Sequence, residues 1–324
     1  GGLMSEAGLD LKLLVQQMTW EAEGVLSLRL NSATGQELPT WRPGAHIDLV
    51  LPGGLTRQYS LLGAPEDRTH YEIAVLREPG GSGGSRYVHE SLRPGTVVSV
   101  RGPRNNFELE DAPGYLFVAG GIGVTPILPM IAEAHRYGRP WELLYGGRAR
   151  GSMAFADRLT RYGERVTLAP QDEHGLLDLE RALTRRSQLS PDAQVYACGP
   201  EPLLTALEKH CAPLGDILRV ERFKAPVEAA AGRLPSGALR VTLARTNRTL
   251  AVDASESILV RLLEAGVKVP NDCRDGICGS CQTRVLQGEP DHRDYVLTNR
   301  QRRAGDTMMV CVSRCVGEEL VLDL

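Results

Sequence analysis

The sequence predicts a multidomain protein with an antiparallel β-barrel, an α/β domain built on a parallel sheet, and a small cysteine-rich module. Three observations support this division. Short alternating strands fill the first third of the chain, strands and helices alternate after residue 113, and five of the seven cysteines lie between residues 273 and 315. The 324 residues suffice for two or three domains. We expect domains at 1–112, 113–226 and 237–324, with an Ala-, Pro- and Gly-rich linker at 227–236.

Composition narrows the class of protein. A formal charge of −3 provides no basic surface for nucleic acid or an anionic membrane, so we expect neither as a partner. The sequence shows no apolar run long enough to cross a bilayer and no signal-peptide pattern, which favours a cytoplasmic location. Disulfides are uncommon in that compartment, so closely spaced cysteines indicate metal or redox chemistry.

The first domain is predicted from alternating strands separated by turn residues, which is typical of an antiparallel barrel. These strands are VLSLRL (25–30), AHIDLVL (45–51), YEIAVLRE (71–78) and GTVVSVRGP (95–103). TRQYSLLG (56–63) lies among them. The segment PGGSGGSRYVHESL (79–92) is a glycine–serine loop followed by a helical pattern. Free N–H groups and a hydroxyl at such a helix start can hold a phosphate.

In the second domain strands alternate with helices, which implies a parallel sheet. Residues 114–138 are predicted to form a strand, a glycine turn and a helix. The further predicted strands lie in 141–148, 165–170, 194–200 and 217–223, and the further predicted helices in 153–163, 177–185 and 201–215. The motifs GGIGVTP and ACGP both follow strands, at the edge where parallel sheets bind ligands. GGIGVTP is not the ordinary dinucleotide fingerprint, but a glycine turn before a helix lets a pyrophosphate approach in the same way.

The cysteine module contains NDCRDGICGSC (271–281). Cys273, Cys278 and Cys281, followed by Cys311 after a long gap, give C-x4-C-x2-C…C, the spacing of plant-type [2Fe–2S] proteins. Gly276 and Gly279 allow the backbone to approach a cluster closely. Cys315 has no place in the pattern, and its role is open. A zinc- or disulfide-stapled binding protein is the alternative from another functional class, but it leaves RQYS and GGIGVTP without a role.

Two resemblances follow from these motifs. Residues 237–324 resemble the β-grasp fold of plant-type [2Fe–2S] ferredoxins. The ordered set RQYS, GGS, GGIGVTP, ACGP, VERF and CRDGICGSC is similar to that of the phthalate dioxygenase reductase family, over nearly all of 10–324. The resemblance implies a ferredoxin–NADP⁺-reductase-like flavoprotein with a C-terminal ferredoxin domain. This domain order implies FMN rather than FAD.

The resemblance also implies roles for individual residues. Arg57, Tyr59 and Ser60 would hold the flavin, by its phosphate, along its ring and near its reactive nitrogen N5. Gly84 and Ser85 would bind the FMN phosphate, and Arg77 is a further candidate there. The residues implied along the nicotinamide nucleotide are Gly121, Gly123, Thr125, Cys198, Gly199 and Pro200. Phe223 would cover the flavin face until nicotinamide displaces it. We expect Ser60, Thr125, Cys198 and Phe223 at the reacting rings, and Cys273, Cys278, Cys281 and Cys311 at the metal.

Charged residues at the ends of two predicted strands bear on the choice between NADH and NADPH. Asp172 and Glu173 follow one strand, where carboxylates would bind ribose hydroxyls and repel a 2′-phosphate. Arg148 and Arg150 follow another and could pair with that phosphate. We expect NADH, with NADPH as the alternative.

The implied function is electron transfer. NAD(P)H would give a hydride to FMN, the flavin would pass single electrons to the [2Fe–2S] cluster, and the cluster would reduce an oxygenase. Hydride transfer depends on positioning, so we nominate no general base. A Rieske non-haem iron oxygenase is the leading partner, and a haem-thiolate monooxygenase served by NADPH is the alternative.

Overall fold

The computed structural model describes residues 10–81, 83–226 and 237–324. The chain divides into two compact units, Gly1–Glu221 and Arg222–Leu324. The predicted linker at 227–236 lies outside the described residues. No helix within the described ranges is both long and apolar enough to span a membrane.

The first sheet of unit 1 is antiparallel throughout, in the spatial order β4-β3-β6-β1-β2-β5. Its elements are β1 (Asp10–Ala22), β2 (Val25–Ser32), β3 (Ala45–Val50), β4 (Thr56–Ser60), β5 (His70–Leu76), α1 (Gly84–Glu90) and β6 (Val97–Asn105). A bridge between Leu62 and Glu72 joins the two edges of this sheet, so the sheet closes on itself as the predicted barrel. Alternating residues fill its interior; in β2, Leu28 and Leu30 are buried and Arg29 between them is exposed.

The second sheet of unit 1 is parallel, in the order β11-β10-β7-β8-β9. Its elements are β7 (Tyr115–Gly120), α2 (Val124–Arg136), β8 (Trp141–Gly147), α3 (Ala156–Thr160), β9 (Val166–Pro170), α4 (Gln171–His174), α5 (Leu179–Leu189), β10 (Gln194–Cys198), α6 (Glu201–Cys211) and β11 (Leu218–Glu221). All six residues of β7 are buried, as expected for a strand covered on both faces. The strand order reverses at β7 and β10, which marks the ligand-binding edge.

Two helical details differ from the sequence prediction. The helix expected at 153–163 is reduced to α3, because Met153, Ala154 and Phe155 enter the core in a non-helical segment and Phe155 has a φ of 63°. The short α4 was not predicted, because four residues are too few for a periodic pattern.

Unit 2 has a mixed sheet in the order β13-β12-β18-β14-β16 and a separate β15–β17 pair. Its elements are β12 (Leu239–Leu243), β13 (Arg248–Val252), α7 (Ile258–Glu264), β14 (Gln282–Gln287), β15 (Pro290–Asp291), α8 (Asn299–Ala304), β16 (Thr307–Met309), β17 (Arg314–Cys315) and β18 (Glu319–Leu322). One apolar core runs between the sheet and α7. This is the expected β-grasp arrangement, with the cysteine loop between α7 and β14.

Candidate functional site

Strand β4 presents the residues expected at the flavin. It is held at its centre by Gln58, whose side-chain amide donates to Asp48 Oδ1 at 3.1 Å, while Asp48 forms a buried ion pair with Arg104 at 2.7 Å. Gln58 lies between Arg57 and Tyr59, so this contact fixes their backbone. Tyr59 is half-buried, and burial raises the pKa of its hydroxyl to about 12, so the hydroxyl stays neutral.

The glycine–serine loop meets β4 at Arg57. A Cβ added to Gly84 would lie 2.7 Å from Arg57 Cγ, so any side chain at position 84 would displace Arg57. Ser85 Oγ accepts a hydrogen bond from the Glu78 N–H at 3.1 Å. Arg57, Gly84 and Ser85 therefore lie at one end of α1. Arg77 instead pairs with Glu90 at 2.5 Å, at the opposite end of this helix, so the structure does not bring it to the loop.

The glycine turn after β7 packs directly on the ACGP segment after β10. A Cβ at Gly123 would lie 2.3 Å from the Cys198 carbonyl oxygen, and one at Gly120 would lie 2.6 Å from Pro200 Cδ. Gly121 has a φ of 53° and open space beside its Cα, as a turn that admits a pyrophosphate requires. Thr125 is buried and donates to the Ile122 carbonyl at 3.0 Å, which leaves only its lone pairs for a ligand.

Three side chains from distant parts of unit 1 converge at the ends of β4, β10 and β11. Ser60 Oγ donates to Glu221 Oε2 at 3.5 Å, and Cys198 is the register partner of Glu221 in the parallel sheet. Burial raises the pKa of the Glu221 carboxyl to about 8. Burial, aided by the Glu221 charge, also raises the pKa of the Cys198 thiol, so this sulfur remains protonated.

Glu221 is the site residue that the sequence analysis missed. Glu221 lies in the motif VERF (220–223), of which only Phe223 was assigned a role. Phe223 is 40% exposed and belongs to unit 2, and its stacking role stays a prediction.

The four expected cluster ligands meet as two pairs of thiols. Cys273 and Cys278 lie close enough that their interaction lowers the pKa of the Cys278 thiol and raises that of Cys273. Interaction with Cys281 likewise raises the pKa of the Cys311 thiol, so these two cysteines form the second pair. Within the described residues no three His, Cys, Asp or Glu side chains converge on a single-ion site. Two pairs fit a two-iron cluster, in which each iron takes two protein thiolates, better than one zinc ion.

Backbone N–H groups point at these sulfurs. The N–H of Asp275 lies 3.3 Å from Cys273 Sγ, that of Ser280 lies 3.4 Å from Cys278 Sγ, and that of Gly276 donates to Cys311. Positive φ angles at Arg274 (60°), Gly276 (74°) and Gly279 (76°) turn the loop inward. The two glycines thus have the backbone angles that were expected of them, and their close approach to a cluster stays a prediction.

Comparisons with known proteins agree with this geometry. Three families match in chain order: an oxidoreductase FAD-binding domain at 12–109, an oxidoreductase NAD-binding domain at 117–209, and a 2Fe-2S iron-sulfur cluster binding domain at 241–316. Phenoxybenzoate dioxygenase subunit beta of Ectopseudomonas oleovorans is 42% identical over 317 residues, covering 97% of each chain.

Two solved structures are also similar. Phthalate dioxygenase reductase is 34% identical, with a TM-score of 0.68 and coverage of 97% of this chain and 98% of that one. An intact type IV self-sufficient cytochrome P450 monooxygenase is 41% identical, with a TM-score of 0.90, and this chain corresponds to 41% of its length. The antiparallel barrel, the parallel sheet and the cysteine module thus match these three families in one order along the chain. The chain belongs to the phthalate dioxygenase reductase family of oxidoreductases.

Proposed function

We propose that this protein is the NADH-dependent reductase of an oxygenase, carrying electrons from nicotinamide through FMN to a [2Fe–2S] cluster and then to the oxygenase. The convergence of Ser60, Cys198 and Glu221 carries the proposal, because it joins the flavin strand to the nucleotide sheet at one point. When bound, the flavin takes up a two-electron hydride and the cluster accepts one electron at a time. The functional domains are 1–112, 113–226 and 237–324.

The side chains and backbone of the protein bind and orient the flavin. Arg57, Gly84 and Ser85 hold the flavin phosphate, Tyr59 lies along the ring, and Ser60 hydrogen-bonds near N5. Glu221, protonated up to about pH 8, keeps a proton beside Ser60 and excludes a negative charge from the hydride path. No side chain needs to remove a proton from the nucleotide.

The nucleotide lies along the carboxyl edge of the parallel sheet. Gly121 and Gly123 admit the pyrophosphate, and Cys198, Gly199 and Pro200 support the nicotinamide. Asp172, in the helix α4 that follows β9, accepts from the adenosine ribose. Its exposed carboxylate forms no ion pair with residues 10–81 or 83–226, which leaves it available for this contact.

The partner is an oxygenase, and a Rieske non-haem iron oxygenase is the first choice because the similar Ectopseudomonas protein is a dioxygenase subunit. The alternative is a haem-thiolate monooxygenase, favoured by the similarity to part of a self-sufficient cytochrome P450. We place the protein in the cytoplasm, where NADH is supplied.

The proposal is tested by anaerobic titration of the purified protein with NADH, followed at flavin and cluster absorbance bands. Both should bleach, and mass spectrometry of heat-released flavin should show FMN. A colourless protein that contains zinc would overturn the proposal. Predominant FAD would overturn the flavin assignment alone.

A further inference from the structure

An exposed ion pair at the carboxyl edge of the parallel sheet joins Arg150 to Glu173. Arg150 Nε lies 3.3 Å from Glu173 Oε1, and Nη2 lies 3.1 Å from Oε2, so the contact is bidentate. Planar two-point contacts of this kind are also how arginine binds phosphate. The same guanidinium therefore has two competing uses.

The ion pair lies where the adenosine end of a dinucleotide would reach. Gly147 and Pro170, the last residues of β8 and β9, are register partners, and the Asp172 N–H donates to the Arg148 carbonyl at 3.1 Å. The two loops are thus held together. Strand β9 is two strand spacings, roughly 10 Å, from the glycine turn after β7. With nicotinamide beside β10, on the other side of β7, the adenosine must extend over β8 and β9.

We propose that Glu173 sets the coenzyme preference for NADH by holding Arg150 in this ion pair. The inference rests on the proposed function and adds the determinant of nucleotide choice. A 2′-phosphate carries a charge of about −2 and needs a cation. Arg150 can supply one only by leaving Glu173, which would place the carboxylates of Glu173 and Asp172 beside the phosphate. NADH has a hydroxyl at that position and leaves the pair intact.

The pair is weak enough for one substitution to change the preference. Both side chains are solvent-exposed, 58% and 44%, and exposed pairs contribute little to stability. Loss of Glu173 should therefore release Arg150 without unfolding the loop. Arg148, the other arginine that the sequence offered for a 2′-phosphate, is the comparison, because it is an exposed arginine of the same loop that forms no ion pair with the described part of unit 1 and so is not released by the loss of Glu173.

The experiment measures flavin reduction of the holoprotein by NADH and NADPH in stopped flow. For Glu173→Gln we expect the NADPH/NADH ratio of the limiting rate of flavin reduction divided by Kd to rise about fivefold, through Kd rather than the limiting rate. The gain should disappear in Glu173→Gln/Arg150→Gln and persist in Glu173→Gln/Arg148→Gln. An unchanged ratio in Glu173→Gln, or a gain that survives without Arg150, would overturn the proposal.

Calorimetry with adenosine 2′,5′-bisphosphate and with ADP provides a readout that needs no turnover. The bisphosphate should bind Glu173→Gln more tightly than wild type by the same factor, and ADP should bind both equally. Equal bisphosphate binding overturns the ion-pair inference. If neither NADH nor NADPH reduced the wild-type flavin, the proposed function would be overturned instead, while the binding titration would still test the ion pair.

Discussion

Cys311 and Cys315 lie four residues apart in different surroundings. The Cys311 thiol is paired with Cys281 and accepts from the Gly276 N–H, whereas the Cys315 thiol donates to the Glu319 carbonyl at 3.3 Å. The cluster fixes the spacing of its cysteine ligands, so the ligands can be recognised in the sequence. The surroundings of Cys315 depend on the pairing of β15 with β17, so its structural role was not readable.

We predict that Cys311→Ser loses the iron and visible absorbance of the cluster, because a serine oxygen is a poor replacement for a thiolate. Cys315→Ser should keep both, with a stability loss of about 1–2 kcal/mol for a polar group in a buried site. Iron content and absorbance of the purified variants provide the measurement. The reverse pattern would exchange the ligand assignment of the two cysteines.

Glu221 could not be found from sequence, because its partner Ser60 is 161 residues away and meets it only in the folded unit. Folding raises its pKa from 4.5 to about 8. The folded state thus keeps a proton that the unfolded chain has released, so stability falls as pH rises from about 4.5 to 8.

The corresponding prediction compares melting temperatures at pH 5 and pH 9. The melting temperature of wild type should fall roughly 10 °C more than that of Glu221→Gln over this interval, because the raised pKa corresponds to about 4 kcal/mol between these pH values and glutamine cannot ionise. Ser60→Ala keeps the carboxyl and should retain the pH dependence. Parallel curves for wild type and Glu221→Gln would show that this carboxyl does not titrate with a raised pKa.

Most strands are recognisable in the sequence, but β1 is not. Register shifts between Val15 and Gln17 and between Trp20 and Ala22 show that β-bulges interrupt its alternation, so no period of two extends over its 13 residues. The contact between β4 and α1 was expected only from family resemblance. Its physical basis is that the first residue of α1 has no side chain.

We predict that Gly84→Ala weakens flavin binding about tenfold, because its methyl group displaces Arg57 from the phosphate. Alanine favours a helix, so α1 itself should remain intact. Recovery of flavin fluorescence on dilution measures the dissociation. Gly80→Ala is the control, since a Cβ there meets nothing within 4 Å. Equal flavin affinity in both variants would remove Arg57 from the phosphate site.

At the scale of the whole molecule, the order of motifs along the chain predicted the order of domains. Each unit has its own apolar cores, with residues 13–211 supplying three and residues 239–322 supplying one. The pairing of motifs into one hydride-transfer site required the folded structure, because β4 and β11 are far apart in sequence.

Because the cores are separate, we predict that residues 1–226 fold, bind flavin and are reduced by NADH as fast as the whole chain. Reduction of cytochrome c, a one-electron acceptor, should fall at least about tenfold, because the cluster is the exit for single electrons. Undiminished cytochrome c reduction by the fragment would mean that electrons leave from the flavin.

The strand order β10-β7-β8-β9 has a consequence for how this protein can be altered. The nicotinamide edge and the adenosine edge lie three strand spacings apart, roughly 14 Å, on opposite sides of β7. Substitutions at such distances usually act independently. Coenzyme preference and hydride transfer are therefore separately adjustable, and a variant that accepts the other coenzyme should reduce its flavin at the original limiting rate.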